Sequence, residues 1–177
     1  KRIELRDHDH ALVLKKSLTD SLQAIALTVE KRDPYTAGHM SRVAQLAIAI
    51  GRKLNLSEDE IDGIGLGASI HDLGKVYIPA EILNRPGKLS IPEFEMIKSH
   101  PQIGYDIIKD IDYSWPIADM VLSHHERLDG SGYPNGLKGD EISYDAQILA
   151  VADVVEAVSS HRPYRPALGM EMGLNIV

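Results

Sequence analysis

The sequence predicts an all-α fold, a helical bundle opened by a long N-terminal helix. Apolar residues recur at intervals of three and four along most of the chain, and almost no stretch shows the alternating, β-branched pattern of a strand. The chain has 177 residues, 44% of them hydrophobic. That is enough for one substantial core without disulfides.

Residues 1–32 carry Leu14, Leu18, Leu22, Ile25 and Val29 at helical spacing, with no proline or glycine before Pro34, and predict one continuous helix. Its apolar seam could pack on the domain or pair with a second copy, making a homodimer through the N-terminal helix. The next helix places Val43, Leu46, Ala47, Ile50 and Leu54 on one face, and His39, one turn before Val43, points the same way. Ser57 followed by Glu60 is a capping box opening a third helix, whose inward positions Ile61, Ile64 and Ala68 lead to His71 and Asp72. Pro79, Pro86, Gly87 and Pro92 break residues 78–99 into a connector with short helices. Pro101 suits a first helical position, so His100 stands at a helix start, with Ile103, Ile107 and Ile108 turned inward. A further helix runs from Pro116 through Ile117, Met120 and Val121 to His124 and His125, before a loop rich in glycine and proline over residues 129–136. The stretch from Ile148 to Val158 is an apolar helix with Asp153 in its middle.

Composition narrows the chemistry. With no cysteine, disulfides, thiolate zinc sites and cysteine nucleophiles are excluded, and any metal must be held by nitrogen and oxygen. The short, charge-interrupted apolar runs and the N-terminal pattern predict neither a membrane span nor a secretion signal, so a cytoplasmic location is expected, although a larger parent protein could be membrane-anchored. A net charge of -7 argues against a nucleic acid duplex as partner. A small anionic ligand needs positive charge supplied locally.

Inward faces and helix ends collect His39, His71, Asp72, His100, His124, His125 and Asp153. Singly, each has a bland reading, since an inward histidine is more often a hydrogen-bonded core residue than a ligand. Together they do not, because burying two ionised carboxylates among apolar residues costs several kcal/mol each unless a cation compensates. Asp153 is the sharpest case, flanked by Ile148-Leu149-Ala150-Val151-Ala152 and Val154-Val155. Adjacent His71 and Asp72 can flank one point only near a helix end, where Leu73-Gly74 lets the backbone open. Imidazole and carboxylate without sulfur suit Fe, Mn, Zn, Co or Ni better than Ca or Mg. This ligand set is too large for one tetrahedral ion and fits two divalent ions, the arrangement of two-metal phosphoester hydrolysis, in which the attacking hydroxide is held between the ions. Lys75 is placed to hold a phosphate oxygen beside that point, against the bland reading of a surface lysine. Arg162 and Arg165 could add positive charge, or be an ordinary basic helix end.

His71-Asp72-Leu73-Gly74-Lys75 resembles the signature of the HD phosphohydrolase superfamily, and Gly132-Tyr133-Pro134 after His124-His125-Glu126 resembles its HD-GYP group. The similarity runs from Asp33-Pro34-Tyr35-Thr36-Ala37-Gly38-His39 to Arg162-Pro163-Tyr164-Arg165, and the ordered set is far more specific than His-Asp alone. The resemblance implies an HD-domain helical bundle over residues 33–177, preceded by a linker or signalling helix over residues 1–32. It implies cyclic di-GMP phosphodiesterase activity giving linear pGpG, sometimes carried on to GMP, with two divalent ions, Fe or Mn foremost. By the same matching His39, His71, Asp72 and Asp153 hold one ion, and Asp72, His100, His124 and His125 the other. Asp72 and Lys75 are then the catalytic pair, and Lys75, Arg162 and Arg165 contact substrate phosphates. Gly132, Tyr133 and Pro134 shape the pocket mouth and, in the family, are linked to partners including diguanylate cyclase domains. The opening helix resembles the connector from an upstream sensor or receiver domain. Where some members carry a third-metal glutamate one turn before the first histidine, this chain has Tyr35, which favours two ions. Members also continue for some tens of residues past the position of Val177, so a longer natural protein is expected.

Two other functions fit the same residues. One is a signalling module that binds metal and nucleotide with negligible turnover. The other is a hydrolase of a different cyclic dinucleotide or nucleotide, because a metal site recognises phosphate and says little about bases.

Overall fold

The computed structural model describes residues 2–32 and 37–159. Regular structure there is helical: α1 (Arg2–Glu30), α2 (His39–Lys53), α3 (Glu58–Ile70), α4 (Ala80–Leu83), α5 (Ile91–Lys98), α6 (His100–Ile108), α7 (Ile117–Ser123) and α8 (Tyr144–Ser159), with 3-10 segments at Leu73–Tyr77 and Gly139–Glu141. An isolated bridge between Asp129 and Lys138 closes the neck of the loop that follows α7.

Local signals set the helix starts. The Glu60 N–H donates to Ser57 Oγ at 3.3 Å while the Ser57 N–H donates to the Glu60 carboxylate at 2.8 Å, which satisfies two of the amide donors that a helix start leaves unpaired. Ser90 and Glu93 repeat the box at α5, whose first turn also holds Pro92. Pro101 occupies the first turn of α6, where the missing N–H costs nothing.

Packing then assembles the bundle. Helix α2 lies on α3 and α8, α3 and α8 both contact α7, and the 3-10 segment after α3 packs on α6 and α1. Val43 and Ala47 of α2, Ile64 and Ala68 of α3, Met120 and Val121 of α7, and Leu149 and Ala152 of α8 share one core. Helix α3 can be surrounded because it is narrow. A Cβ on Gly63 would lie 2.5 Å from the Trp115 ring, one on Gly67 2.6 Å from Met120 Cε, and one on Gly65 3.0 Å from Ile48 Cδ1. Each glycine costs about 1 kcal/mol of helix propensity against alanine, offset here by the large side chain brought close.

Two expectations need correction, and one alternative is narrowed: of the α1 seam, Leu22 and Val29 are buried while Leu14, Leu18 and Ile25 are exposed, so the seam packs on the domain only in part. Leu54 and Ile107 are exposed as well, the former because α2 has already ended. Gly74 does not serve to open the backbone. It is required by contact, since a Cβ there would lie 1.9 Å from the His100 carbonyl oxygen and 2.6 Å from the Gly104 amide nitrogen.

That contact yields a stability prediction. Gly74→Ala meets backbone on both sides and should lose about 3 kcal/mol or more, whereas Gly67→Ala meets the flexible end of Met120 and should lose less. Urea unfolding of both variants checks the order, and equal losses would contradict the assigned contact.

Candidate metal centre

The centre is built from helix ends. His71 follows the last residue of α3, His100 lies just beyond α5, and His124 follows α7. The last carbonyls of a helix have no partner within it, and each of these imidazoles uses one. His71 Nδ1 donates to Ala68 O, His100 Nδ1 to Ile97 O and His124 Nδ1 to Val121 O, each at 2.7 Å. A carbonyl only accepts, so each Nδ1 carries the hydrogen and each Nε2 presents its lone pair to the interior of the site. His39 arrives by another route. It opens α2, and its Nδ1 is hydrogen-bonded to the Glu156 carboxylate on α8.

Carboxylates face these nitrogens. Asp72 Oδ1 lies 3.3 Å from His100 Nε2, while its Oδ2 lies 3.6 Å from His71 Nε2 and 3.9 Å from His39 Nε2. Asp153 Oδ1 is 3.1 Å from His39 Nε2 and 3.8 Å from His71 Nε2, and its Oδ2 is 3.9 Å from His125 Nδ1. Potential ligand atoms thus gather in three overlapping groups: His39, His71 and Asp153; His71, Asp72 and His124; and His100, His124 and His125. All seven residues that the sequence nominated as ligands are brought together.

Two observations show that this donor set fits metal cations. His71 Nε2 is buried and has no hydrogen-bond partner, which costs about 1–3 kcal/mol if nothing satisfies it. His100 Nε2 and His124 Nε2 face each other at 3.2 Å. With both hydrogens committed to Nδ1, these are two lone pairs in contact, an arrangement that a cation between or beside them relieves.

Protonation follows the same layout. Burial pushes His71 down, and it pushes His124 well below the usual imidazole range, with the neighbouring histidines adding to the effect. Burial likewise takes His125 down to about 3. These imidazoles are neutral, the form that ligates. Burial also opposes charge on His39, but hydrogen bonds to Asp153 and Glu156 outweigh it and push His39 up to about 9. Asp72 is held well below the carboxylate range despite burial, chiefly by Lys75 and then by His71 and His100. Lys75 Nζ lies 2.6 Å from Asp72 Oδ2, one turn along the 3-10 segment.

The loop over residues 129–136 closes one side. Its backbone is fastened by Glu126, whose buried carboxylate accepts from the Asn135 N–H at 2.7 Å and the Leu137 N–H at 3.0 Å, while the Tyr133 N–H donates to His125 O at 3.1 Å. The Tyr133 ring consequently lies over His125, centroids 4.8 Å apart. Gly132 passes so close to the chain that a Cβ would lie 2.4 Å from the Arg127 amide nitrogen, and Pro134 is exposed beside it. Arg162, Arg165 and Tyr35 lie outside the described residues.

Sequence reasoning missed the supporting acids Glu156 and Glu126. Glu156 stands three residues after Asp153 on the same face of α8, so the spacing that marked Asp153 marked it too. It accepts from Arg42 Nε at 2.6 Å as well as from His39. Glu126 adjoins the two histidines, but its role depends on the loop folding back, which periodicity does not report.

Comparison with known proteins agrees with this geometry. The pattern of the HD domain family matches residues 23–177. The chain is 41% identical over 157 residues to the cyclic di-GMP phosphodiesterase response regulator RpfG of Xanthomonas campestris, covering 88% of this chain and 42% of that protein. It is 44% identical over 134 residues to a cyclic di-GMP phosphodiesterase of Pseudomonas aeruginosa, covering 75% and 32%. It is 38% identical over 154 residues to the 3'3'-cGAMP-specific phosphodiesterase 3 of Vibrio cholerae, covering 87% and 34%. The chain therefore spans less than half the length of each of these relatives. Among solved structures, the HDG"Y"P protein Bd1817 of Bdellovibrio bacteriovorus superposes with a TM-score of 0.61 at 25% identity, covering 68% of this chain and 40% of that one. The HD domain of the L. monocytogenes phosphodiesterase PgpH shares the fold, with a TM-score of 0.57 at 23% identity, covering 80% and 76%. The chain belongs to the HD domain family and carries the motif set of its HD-GYP group.

Proposed function

We propose that this domain is a metal-dependent phosphodiesterase that hydrolyses cyclic di-GMP to linear pGpG. The observation that carries the reading is the position of Asp72, one carboxylate whose two oxygens face different sides of a buried histidine cluster, His100 on one side and His39 and His71 on the other. A carboxylate so placed is suited to serve two ions. His39, His71 and Asp153 complete one ligand set with Asp72, and His100, His124 and His125 complete the other. Imidazole with carboxylate suits Fe or Mn, and also Zn, Ni or Co. Bound there, two such ions supply Lewis acidity to the phosphate and lower the pKa of the attacking water.

The chain's own residues do the rest. Lys75, with an ammonium that offers three donors, lies beside Asp72 and would take a non-bridging phosphate oxygen, and Arg162 and Arg165 would add positive charge against the substrate phosphates. Glu156 keeps the His39 ring turned so that Nε2 faces Asp153. Tyr133, with Gly132 and Pro134, walls the mouth on the His125 side. The same loop is a candidate contact for a diguanylate cyclase domain, and α1 a connector to an upstream sensor or receiver domain or a seam for a second copy.

The relatives named as cyclic di-GMP phosphodiesterases favour that substrate. 3'3'-cGAMP is the second reading, favoured by the relative specific for it. Side-by-side hydrolysis rates separate the two.

The direct test uses protein purified without oxygen, loaded with Fe(II) or Mn(II) and incubated with cyclic di-GMP, the products being separated by chromatography. The expected product is pGpG, and Asp72→Ala should lose both hydrolysis and bound metal. Absence of product from fully metallated wild-type protein would overturn the reading in favour of a binding module. Lys75→Ala should keep its metals and lose about 10²–10³-fold in kcat, checked by metal analysis and steady-state kinetics. Glu156→Gln should keep the fold and weaken metal retention by about 10–100-fold, read by competition with a chelator.

A further inference from the structure

Helix α5 has no place in the core. None of its residues is buried, and Ile91, Phe94 and Met96 stand exposed. Phe94 is the chain's one phenylalanine, yet it is 46% exposed, which is costly for an aromatic ring unless something stacks on it. The helix is nevertheless fixed relative to the metal centre, because its last residue, Lys98, is two positions before His100 and the carbonyl of Ile97 holds the His100 ring.

Lys98 connects this helix to the rim of the site. Its Nζ lies 5.2 Å from the centroid of the Phe94 ring and 5.7 Å from that of Tyr133, and Tyr133 covers His125. The ammonium therefore lies near two aromatic rings, one of them tilted over a histidine of the metal centre. Its ion pair with Glu95, at 2.8 Å, is an exposed i,i+3 contact of the kind worth little, so exchanging it for another acceptor costs little. A donor within reach of two aromatic rings, next to the proposed phosphate site, is an arrangement that can receive a nucleobase.

We infer that Phe94, Lys98 and Tyr133 form a base subsite in which Lys98 selects guanine over adenine. This rests on the phosphodiesterase reading and deepens it. Guanine presents two acceptors, N7 and O6, on the edge where adenine presents N7 and an amino donor. Lysine can only donate. It therefore favours guanine and meets the adenine amino group donor to donor. The rings hold either base by its face. The choice that the metal centre cannot make, between dinucleotides that differ in one or both bases, is made about one ring beyond it.

The test measures kcat and KM of the metal-loaded protein for cyclic di-GMP, 3'3'-cGAMP and cyclic di-AMP, in wild type, Lys98→Met and Phe94→Ala. For Lys98→Met the expected result is a rise in KM for cyclic di-GMP of about tenfold, with the preference over cyclic di-AMP narrowed by the same factor. Phe94→Ala should raise KM for all three substrates alike. A Lys98→Met protein that keeps the wild-type base preference overturns the subsite while leaving the phosphodiesterase reading intact. Wild-type protein that hydrolyses none of the three overturns both.

Discussion

Everything at the centre of this domain depends on one hydrogen bond made three times. Helices α3, α5 and α7 end with carbonyls that no amide of the same helix can reach, and His71, His100 and His124 each give the Nδ1 hydrogen to such a carbonyl. The bond fixes the tautomer and the ring plane together, so three Nε2 lone pairs are aimed before any ion arrives. The bundle has only to bring three helix ends to one place. Gly74 permits this, since it is the position where the segment after α3 touches the His100 carbonyl and the start of α6.

Burying lone pairs and carboxylates this way is unfavourable, and the structure distributes the cost. Asp72 leans on Lys75 and Asp153 on His39, so each of these two acids has a nitrogen partner within hydrogen-bonding distance. The His39 ring is in turn held between Asp153 and Glu156, and Glu156 reaches outward to Arg42. This chain of polar contacts runs from the centre toward the surface of α2. It explains why the apolar later part of α8 carries Asp153 and Glu156, three residues apart: one faces the centre and the other holds the ring that faces it.

The rim is built differently from the floor. Around the loop over residues 129–136, a single buried acid, Glu126, gathers two backbone amides and lays Tyr133 over His125. Beside it α5 contributes exposed side chains, with Lys98 near the Tyr133 ring. The floor is suited to ions and phosphate, which are the same in every cyclic dinucleotide, and the rim holds the aromatic and donor groups that can sense a base. A family with one conserved chemistry and several substrates is expected to vary there.

Much of this was legible in the sequence. Spacing of apolar residues gave α2, α3 and α8 with their inward faces, the Ser57/Glu60 box gave the start of α3, and the cost of burying Asp72 and Asp153 singled out a cation site. The ordered motifs gave the family. Side-chain facing failed at Leu54 and Ile107, because periodicity reports which residues share a face and not whether another element covers it. The partners of Glu156, Glu126 and Lys98 were out of reach for the same reason, even though spacing placed Glu156 on the face of Asp153. Each acts on a residue brought near by folding, Glu156 on His39 across 117 positions, and nothing in a local window records that distance. The sequence by itself determined which groups could bind metal, since ligand chemistry belongs to residue type. Only the tertiary structure decided which nitrogen of each histidine faces the candidate metal site and what surrounds the mouth, because tautomer and rim depend on partners that meet only when the helix ends converge.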